Sequence, residues 1–325
     1  MRFYRIEITN SDNTPFATYT SGAAGAVDLG ALQVEFDIPV STLAQPIGAA
    51  SIKVWGVSLT VIGQATDFVG KSIKVYGGFV PGLPLATEAY NAGQQGLLLQ
   101  GLILQAYGNW IGTQQWVEFV VGGNAVTALN QTLNLTQTTW AKGTPLALAV
   151  ANTLTKAVPT FAPPVINISP NLVLQQDEPS FHNNLVSYAQ YLYDTSRSII
   201  QSPAYTGVQL AIFGNKFVVS DNTLPATVDA ISFDDLIGQP TWIGPGLVQV
   251  MTMMRADIQV MDYVTLPTTQ VTIAPSNQYI APTSRSSFQG KYFVQRARHL
   301  GNFRDPNALS WITAFDLASA NPVLN

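Results

Sequence analysis

The most restrictive feature of this sequence is the two-residue alternation of apolar and polar side chains in short runs. Val34, Phe36 and Ile38 alternate with Gln33, Glu35 and Asp37, and Ile52/Val54 and Ile73/Val75 repeat the pattern. A side-chain period of two suits an extended strand with one face in a core and the other in water. Strands are predicted over Phe3–Thr9, Leu32–Pro39, Ser51–Leu59, Ser72–Gly77, Leu97–Gln105 and Trp116–Val121. The segments between them, such as Gly77–Pro84 and Asn91–Gly96, are rich in Gly, Pro and Asn. Short strands at this spacing predict a sandwich or barrel over residues 1–125 rather than βαβ units.

Residues 126–204 change period. Thr144-Pro145 reads as an N-cap followed by proline at the first helical position. Leu146, Val150, Leu154 and Val158 follow at four-residue spacing until Pro159 stops the helix, and a proline-rich connector, Thr160–Pro170, comes next. From Ser180, Phe181, Leu185, Tyr188, Leu192 and Ile199 form a second helical stripe, ended by Ser202-Pro203. Two amphipathic helices in a β chain read as an insertion between two β domains.

Residues 205–325 return to strands: Val208–Phe213, Lys216–Ser220, Leu247–Met253, Ile258–Leu266, and a terminal hairpin over Gly290–Leu317. Leu236–Pro245 reads as a turn-rich loop carrying Trp242. In the hairpin, Tyr292, Val294, Arg296 and Arg298 alternate with Phe293, Gln295, Ala297 and His299, and Trp311, Thr313, Phe315 and Leu317 share a side. Gly301-Asn302 and Asp305-Pro306-Asn307 carry turn chemistry. The end of the first β region echoes this hairpin: residues 101–119 and 290–315 both run from Gly through an apolar strand to Gly-Asn-aromatic, a polar turn, Trp-Val/Ile and Phe. The echo predicts two related β domains, each finished by the same hairpin. The fold class is therefore mainly β with a helical insertion, α+β overall.

Charged residues are 10% of the chain, against about 25% in an average soluble domain. Ser, Thr, Asn and Gln cost less to desolvate than Lys or Glu, so such a surface suits burial against neighbouring subunits. The other reading is a solitary β protein with a Thr/Gln-rich surface, as carbohydrate binders have. The net charge of −4 is uneven. Asp221, Asp229, Asp234, Asp235, Asp257 and Asp262 surround the lone Arg255, whereas Arg285, Lys291, Arg296, Arg298 and Arg304 follow without an acid. Adjacent blocks of opposite sign suit contact between identical subunits, or pairing within one sheet.

The inventory for catalysis is thin. There is no cysteine, hence no disulfide or thiolate metal site. The start, RFYRIEI, reads as a strand rather than a signal peptide, and no apolar run reaches membrane-helix length. His182 and His299 lack metal or His/carboxylate spacing, so no metal or cofactor is expected. His182 is expected to be solvated in the first turn of a helix, and His299 to be interfacial or solvent-facing. Gly70-Lys71-Ser72 lacks the glycine spacing of a phosphate loop, and no G-x-S-x-G elbow is present. Asp177-Glu178 and Asp234-Asp235 are neighbours in sequence, which does not set two carboxyls across a substrate. Asn130, Asn134 and Asn167 carry glycosylation patterns that mean nothing without secretion. Arg296, Arg298, His299 and Arg304 beside Tyr292 and Phe303 mix cations with aromatics, but a pI near 5.1 favours a subunit interface over nucleic acid.

The stretches ISFDDLIGQPTWIGPGLVQVMTMMRADIQVMDYVTLP and FQGKYFVQRARHLGNFRDPNALSWITAFD, within residues 231–316, resemble the central hub protein of phage contractile-tail baseplates. This family is related to the hub part of type VI secretion spike proteins. The likeness lies in the Leu236–Trp242 loop, Met254-Arg255-x-Asp257, Val264–Pro267 and the Arg298-His299-x-Gly301-Asn302 hairpin leading to Ser310-Trp311-x-Thr313. VEFDIPV, SIKVWGVSL, GLILQAYGNW and the helical middle agree more loosely. The resemblance implies two tail-tube-like β-barrel domains, at 1–125 and 205–325, with strand exchange between them allowed. It also implies a homotrimeric ring that adapts a six-fold tail tube, or its initiator, to a three-fold spike. The ring would leave a channel for tape-measure protein and DNA. Such a protein would be part of the virion, assembled in the host cytoplasm, without stable membrane binding and without enzymatic activity; any wall-degrading domain is expected elsewhere. Arg255, Asp257, Arg296, Arg298, His299 and Arg304 are the expected subunit-interface or channel residues. The competing reading is a tail-tip glycan- or receptor-binding β-sandwich.

Overall fold

In the computed structural model the described residues are 1–23, 26–28, 30–42, 49–80, 95–123, 138–159, 161–174, 176–182, 184–202, 205–213, 216–221, 223, 228–244, 247–267, 288 and 290–319. Arg285, Asn130, Asn134 and most of the expected turns within 77–96 lie outside them. The N-terminal region holds β1 (Arg2–Thr9), β2 (Pro15–Thr20), β3 (Gly22–Ala23), β4 (Ala26–Val27), β5 (Gln33–Ser41), β6 (Ala50–Trp55), α1 (Leu59–Gly63), β7 (Ser72–Phe79), β8 (Gly96–Ile111) and β9 (Gln114–Gly123). The middle holds β10 (Thr138–Trp140), α2 (Leu146–Ala157), β11 (Ala162–Asn167), β12 (Glu178–Ser180), α3 (Leu185–Ile200), β13 (Gln209–Phe213) and β14 (Lys216–Ser220). The C-terminal region holds β15 (Val228–Ala230), β16 (Thr241–Gly244), β17 (Leu247–Met253), β18 (Tyr263–Thr265), β19 (Lys291–Asn302) and β20 (Trp311–Ser319). The chain is mainly β with a helical insertion, as the alternating and four-residue periods predict.

The alternating strands bury the faces their sequences mark. Val34, Phe36 and Ile38, Ile52 and Val54, and Ile73 and Val75 are all buried. Each such side chain contributes about 1.5–3 kcal/mol on burial. Two N-terminal expectations differ. The strand after Ser51 stops at Trp55 because Gly56 adopts φ +80°, and Ser58 then caps α1 by accepting from the Val61 N–H. The strand β2 was not predicted: in PFATYT the apolar residues break the two-residue period.

The middle segment has a core of its own. The α2 stripe of Leu146, Val150, Leu154 and Val158 is buried, as are Leu185, Tyr188 and Leu192 of α3. The helix starts are displaced from expectation. Pro145, not Thr144, occupies the cap of α2, and the Leu146 N–H is satisfied by the Leu172 carbonyl. Helix α3 starts at Leu185 behind Asn184, whose side chain accepts from the Ser187 N–H, so Phe181 lies outside the helix and is 72% exposed. The proline-rich connector contains β11, which pairs parallel with β14. Val208, Leu210, Phe217 and Val219 belong to the same core as the helices.

One sheet of thirteen strands joins the two ends of the chain, in the order β16-β17-β20-β19-β5-β6-β9-β8-β7-β1-β2, with β18 on β19 and β15 on β18. Within it, two six-strand sets follow the same connection order, β5-β6-β9-β8-β7-β1 and β16-β17-β20-β19-β18-β15, and differ in the last pair, which is antiparallel for β7–β1 and parallel for β18–β15. Their central registers match. Ile52, Phe119 and Ala106 lie abreast in the first set, as Val250, Phe315 and Ala297 do in the second. One residue earlier on the long strand, each set carries a register shift, between Ile103 and Gln105 and between Val294 and Arg296. The hairpin echo in the sequence is thus an echo of register. The alternation shifts at Gln295: Val294 does not share a face with Arg296 and Arg298, but is buried like Ala297 and His299.

Candidate functional site

The residues singled out from sequence divide into an enclosed group and a surface group. Arg255 follows β17 and is 3% exposed. Its Nε and Nη2 donate to the two carboxylate oxygens of Asp257 at 2.7 and 2.5 Å, and Nη1 donates to Asp235 Oδ2 at 2.8 Å. Asp235 Oδ2 also accepts from the Ser232 N–H and hydroxyl at 3.1 and 2.8 Å, so a capping box holds the carboxylate in place. Burial acts to lower the Arg255 pKa, but Asp257, through hydrogen bond and charge, and the charges of Asp235 and Asp229 raise it overall. Asp262 nearby is pushed up to about 6 by burial, against a hydrogen bond from the Gln259 N–H and with the charges of Asp229 and Asp257 adding to the rise.

His299 corrects an expectation. It is 5% exposed rather than solvent-facing, and its Nδ1 lies 2.9 Å from Thr313 Oγ1. That hydroxyl accepts from the Arg255 N–H at 3.0 Å, which ties β19, β20 and the end of β17 together. Burial lowers the imidazole to about 4, so it is neutral at physiological pH. His182 is likewise buried, not solvated in a helix, with Nε2 2.9 Å from Ser180 Oγ and its ring against Tyr188 and Tyr191. Arg255 and His299 are enclosed by this chain's own residues, which they brace internally.

Arg296 and Arg298 are exposed on the opposite face of β19. They line a groove of about 530 Å³ with Asp37, Gln249, Met251 and Asp316. Arg298 donates from Nε and Nη2 to Asp37 of β5 at 2.8 and 2.5 Å, a two-pronged pair that raises the guanidinium pKa. An exposed pair of this kind contributes at most about 1 kcal/mol. Arg304 donates its N–H to Gln33 Oε1 at 2.9 Å and its guanidinium to the Ala31 carbonyl.

Sequence reasoning missed Arg2. Its guanidinium reaches the carbonyls of Asn302, Asp305 and Asn307 and the Ser310 hydroxyl, holding the β19–β20 turn against the N-terminal set. No local signal marks it, because its partners lie some 300 residues away. Trp311 shares a side of its strand with Thr313, Phe315 and Leu317 in the sequence pattern, and its ring enters the N-terminal core, where its Nε1 donates to the Gly78 carbonyl at 2.9 Å. Gly301 is not a turn residue: it sits in β19, and a Cβ there would lie 2.3 Å from the Phe36 ring.

Several strand edges are open among the described residues, those of β2 and β15 included, and two of them stand at the places the β5–β19 joint fills in the repeat. β16 pairs on one side only, with β17. β8 pairs with β7 only through residues 96–102, which leaves one side of residues 105–111 without a partner strand. Large apolar side chains are exposed at both places: Trp242 and Ile243 on β16, and Tyr107, Trp110 and Ile111 on β8. Among the described residues no group of three His, Asp or Glu could hold a metal ion. The described residues form open strand edges and internal braces.

The sequence matches no protein-family model and no curated protein. The fold, however, is that of solved tail proteins. The tail protein from Neisseria meningitidis MC58 aligns over 97% of this chain and 96% of its own, with a TM-score of 0.52 and 10% identity. The 43 kDa tail protein of prophage MuSo2 from Shewanella oneidensis aligns over 98% and 97%, with a TM-score of 0.52 and 8% identity. The resemblance carried most specifically by residues 231–316 extends, as a fold, along nearly the whole chain.

Proposed function

We propose that this chain is a structural protein of a phage tail, the hub of its baseplate, and that three copies close into a ring. The observation that carries the reading is the internal repeat: two six-strand sets with the same central register, joined side by side by β5 and β19. A chain with two equivalent sets has three-fold symmetry as a trimer while offering six similar lobes, which is what an adaptor between a six-fold tube and a three-fold spike needs. In this reading each set is a tube-like barrel domain, and the polar face of β19, with Arg296 and Arg298, borders the channel through which tape measure and DNA pass. The tail tube, or its initiator, and the spike are its partners. It acts without catalysis in the virion, after assembly in the host cytoplasm.

The test is single-particle imaging with light scattering on the purified chain. A three-fold ring of six similar lobes is the expected result. A monomer or a two-fold dimer would overturn the reading and favour a receptor-binding tail-tip protein.

A further inference from the structure

The internal joint also specifies how one copy meets the next. In that joint β5 lies antiparallel against the distal half of β19, with Asp37 opposite Leu300, Ile38 opposite His299 and Pro39 opposite Arg298. The repeat supplies the counterparts. Thr241 pairs with Gln249 as Asp37 does with Ser51, and Gln249 and Ser51 are themselves equivalent, so Thr241 and Trp242 of β16 stand where Asp37 and Ile38 stand in β5. Counting from the matched register shifts, Gly108, Asn109 and Trp110 of β8 stand where His299, Leu300 and Gly301 stand in β19.

Exposure separates the two situations. Where the joint is made, Ile38 is 0% and His299 5% exposed. At the equivalent open positions Trp242 is 48% exposed and Gly108 is exposed, and Trp110, equivalent to the buried Gly301, is 61% exposed. The open places are the two halves of a joint that one chain cannot close on itself.

We propose that β16 of one copy adds antiparallel to residues 105–111 of β8 in a second copy of this chain, with Thr241 opposite Asn109 and Trp242 opposite Gly108. The contact is heterologous: each copy gives β16 and receives on β8, so it propagates head to tail and ends only by ring closure. It also covers edges that would otherwise template aggregation. The proposal rests on the ring reading above, and adds which strands form the seam and in what register.

The chain has no cysteine, so a designed disulfide reports this contact without background. Directly opposed antiparallel residues have Cα separations of about 4.5–5.5 Å, within disulfide range. The Thr241→Cys/Asn109→Cys variant, mildly oxidised, is run under non-reducing conditions beside light scattering of the reduced protein. The expected result is a covalent ladder that ends at three chain masses, no ladder from either single variant, and dimers only when the two single variants are mixed. The equivalent intrachain pair, Asp37→Cys/Leu300→Cys, is the geometric control and should close within one chain. A ring by light scattering with no ladder, while the control closes, overturns the seam and leaves the hub reading standing. A single-chain mass for the reduced protein overturns the hub reading and the seam with it. Self-crosslinking of either single variant means an isologous contact and also overturns the seam. As a second measurement, Trp242→Lys, at a half-exposed position of the single chain, should convert rings to single chains with an unchanged circular dichroism spectrum; an intact ring refutes the assignment.

Discussion

Acid should loosen this protein through His299, and the size of the effect follows from its burial. The imidazole is neutral in the folded state with a pKa near 4, against 6.5 when free. Between those values the unfolded chain holds a proton that the folded chain refuses. The contribution is therefore complete above about pH 6.5 and is lost as pH falls toward 4. The shift corresponds to about 3 kcal/mol in full, of which about 2 kcal/mol is lost by pH 5. Urea unfolding at fixed protein concentration, at pH 7.0 and about pH 5, would be compared between the parent chain and His299→Gln. Glutamine can still hydrogen-bond Thr313 Oγ1, which lies 2.9 Å from Nδ1, but does not titrate. The parent should lose about 2 kcal/mol more than the variant over that interval. Equal losses would mean that His299 is protonated in the folded state or opens readily to solvent, and the reasoning would fail.

The buried fork predicts a second loss. Arg255→Met leaves Asp235 and Asp257 without their cation and should cost about 3–5 kcal/mol in denaturant unfolding, more than the sum of contacts at the exposed Arg298–Asp37 pair. Asp262 has the opposite pH signature from His299. Its raised carboxyl pKa of about 6 means stability is lost as pH rises through 6, so Asp262→Asn should raise Tm at pH 8 and leave it unchanged near pH 4. Gly301→Ala drives a methyl group into the Phe36 ring at 2.3 Å and should cost about 1–3 kcal/mol; a neutral result would show that the β5–β19 joint yields more than its packing implies.

The echo between residues 101–119 and 290–315 was legible as a weak repeat, and its meaning lies in register. Ala106 against Phe119 and Ala297 against Phe315 are equivalent, although a letter-by-letter match through Gly108-Asn109 and Gly301-Asn302 slips by two positions. The slip arises because Gly301 meets a ring of β5 while Gly108 faces α1, two close approaches with different partners. The Met254-Arg255-x-Asp257 motif was visible, but its enclosure was not: the other acid of the fork, Asp235, comes from a 3₁₀ turn before β16. Leu236–Pro245 reads as a loop because Gly238, Pro240 and Pro245 dominate it, yet Thr241–Gly244 is a strand with half-exposed apolar residues.

The sequence alone determined which faces are buried, because alternation and helical stripes are local and each strand or helix carries its own periodicity. It also determined that the chain is poor in charge, with charged residues at 10%. Only the tertiary structure decided that β5 joins β19 across some 260 residues, that Arg2 clasps a turn 300 residues away, and that the edges of β16 and of residues 105–111 of β8 stay without a partner strand. Strand pairing is a choice among edges that look alike in sequence, since backbone N–H and C=O groups carry no residue identity; packing around Phe36, Trp311 and Gly301 makes that choice.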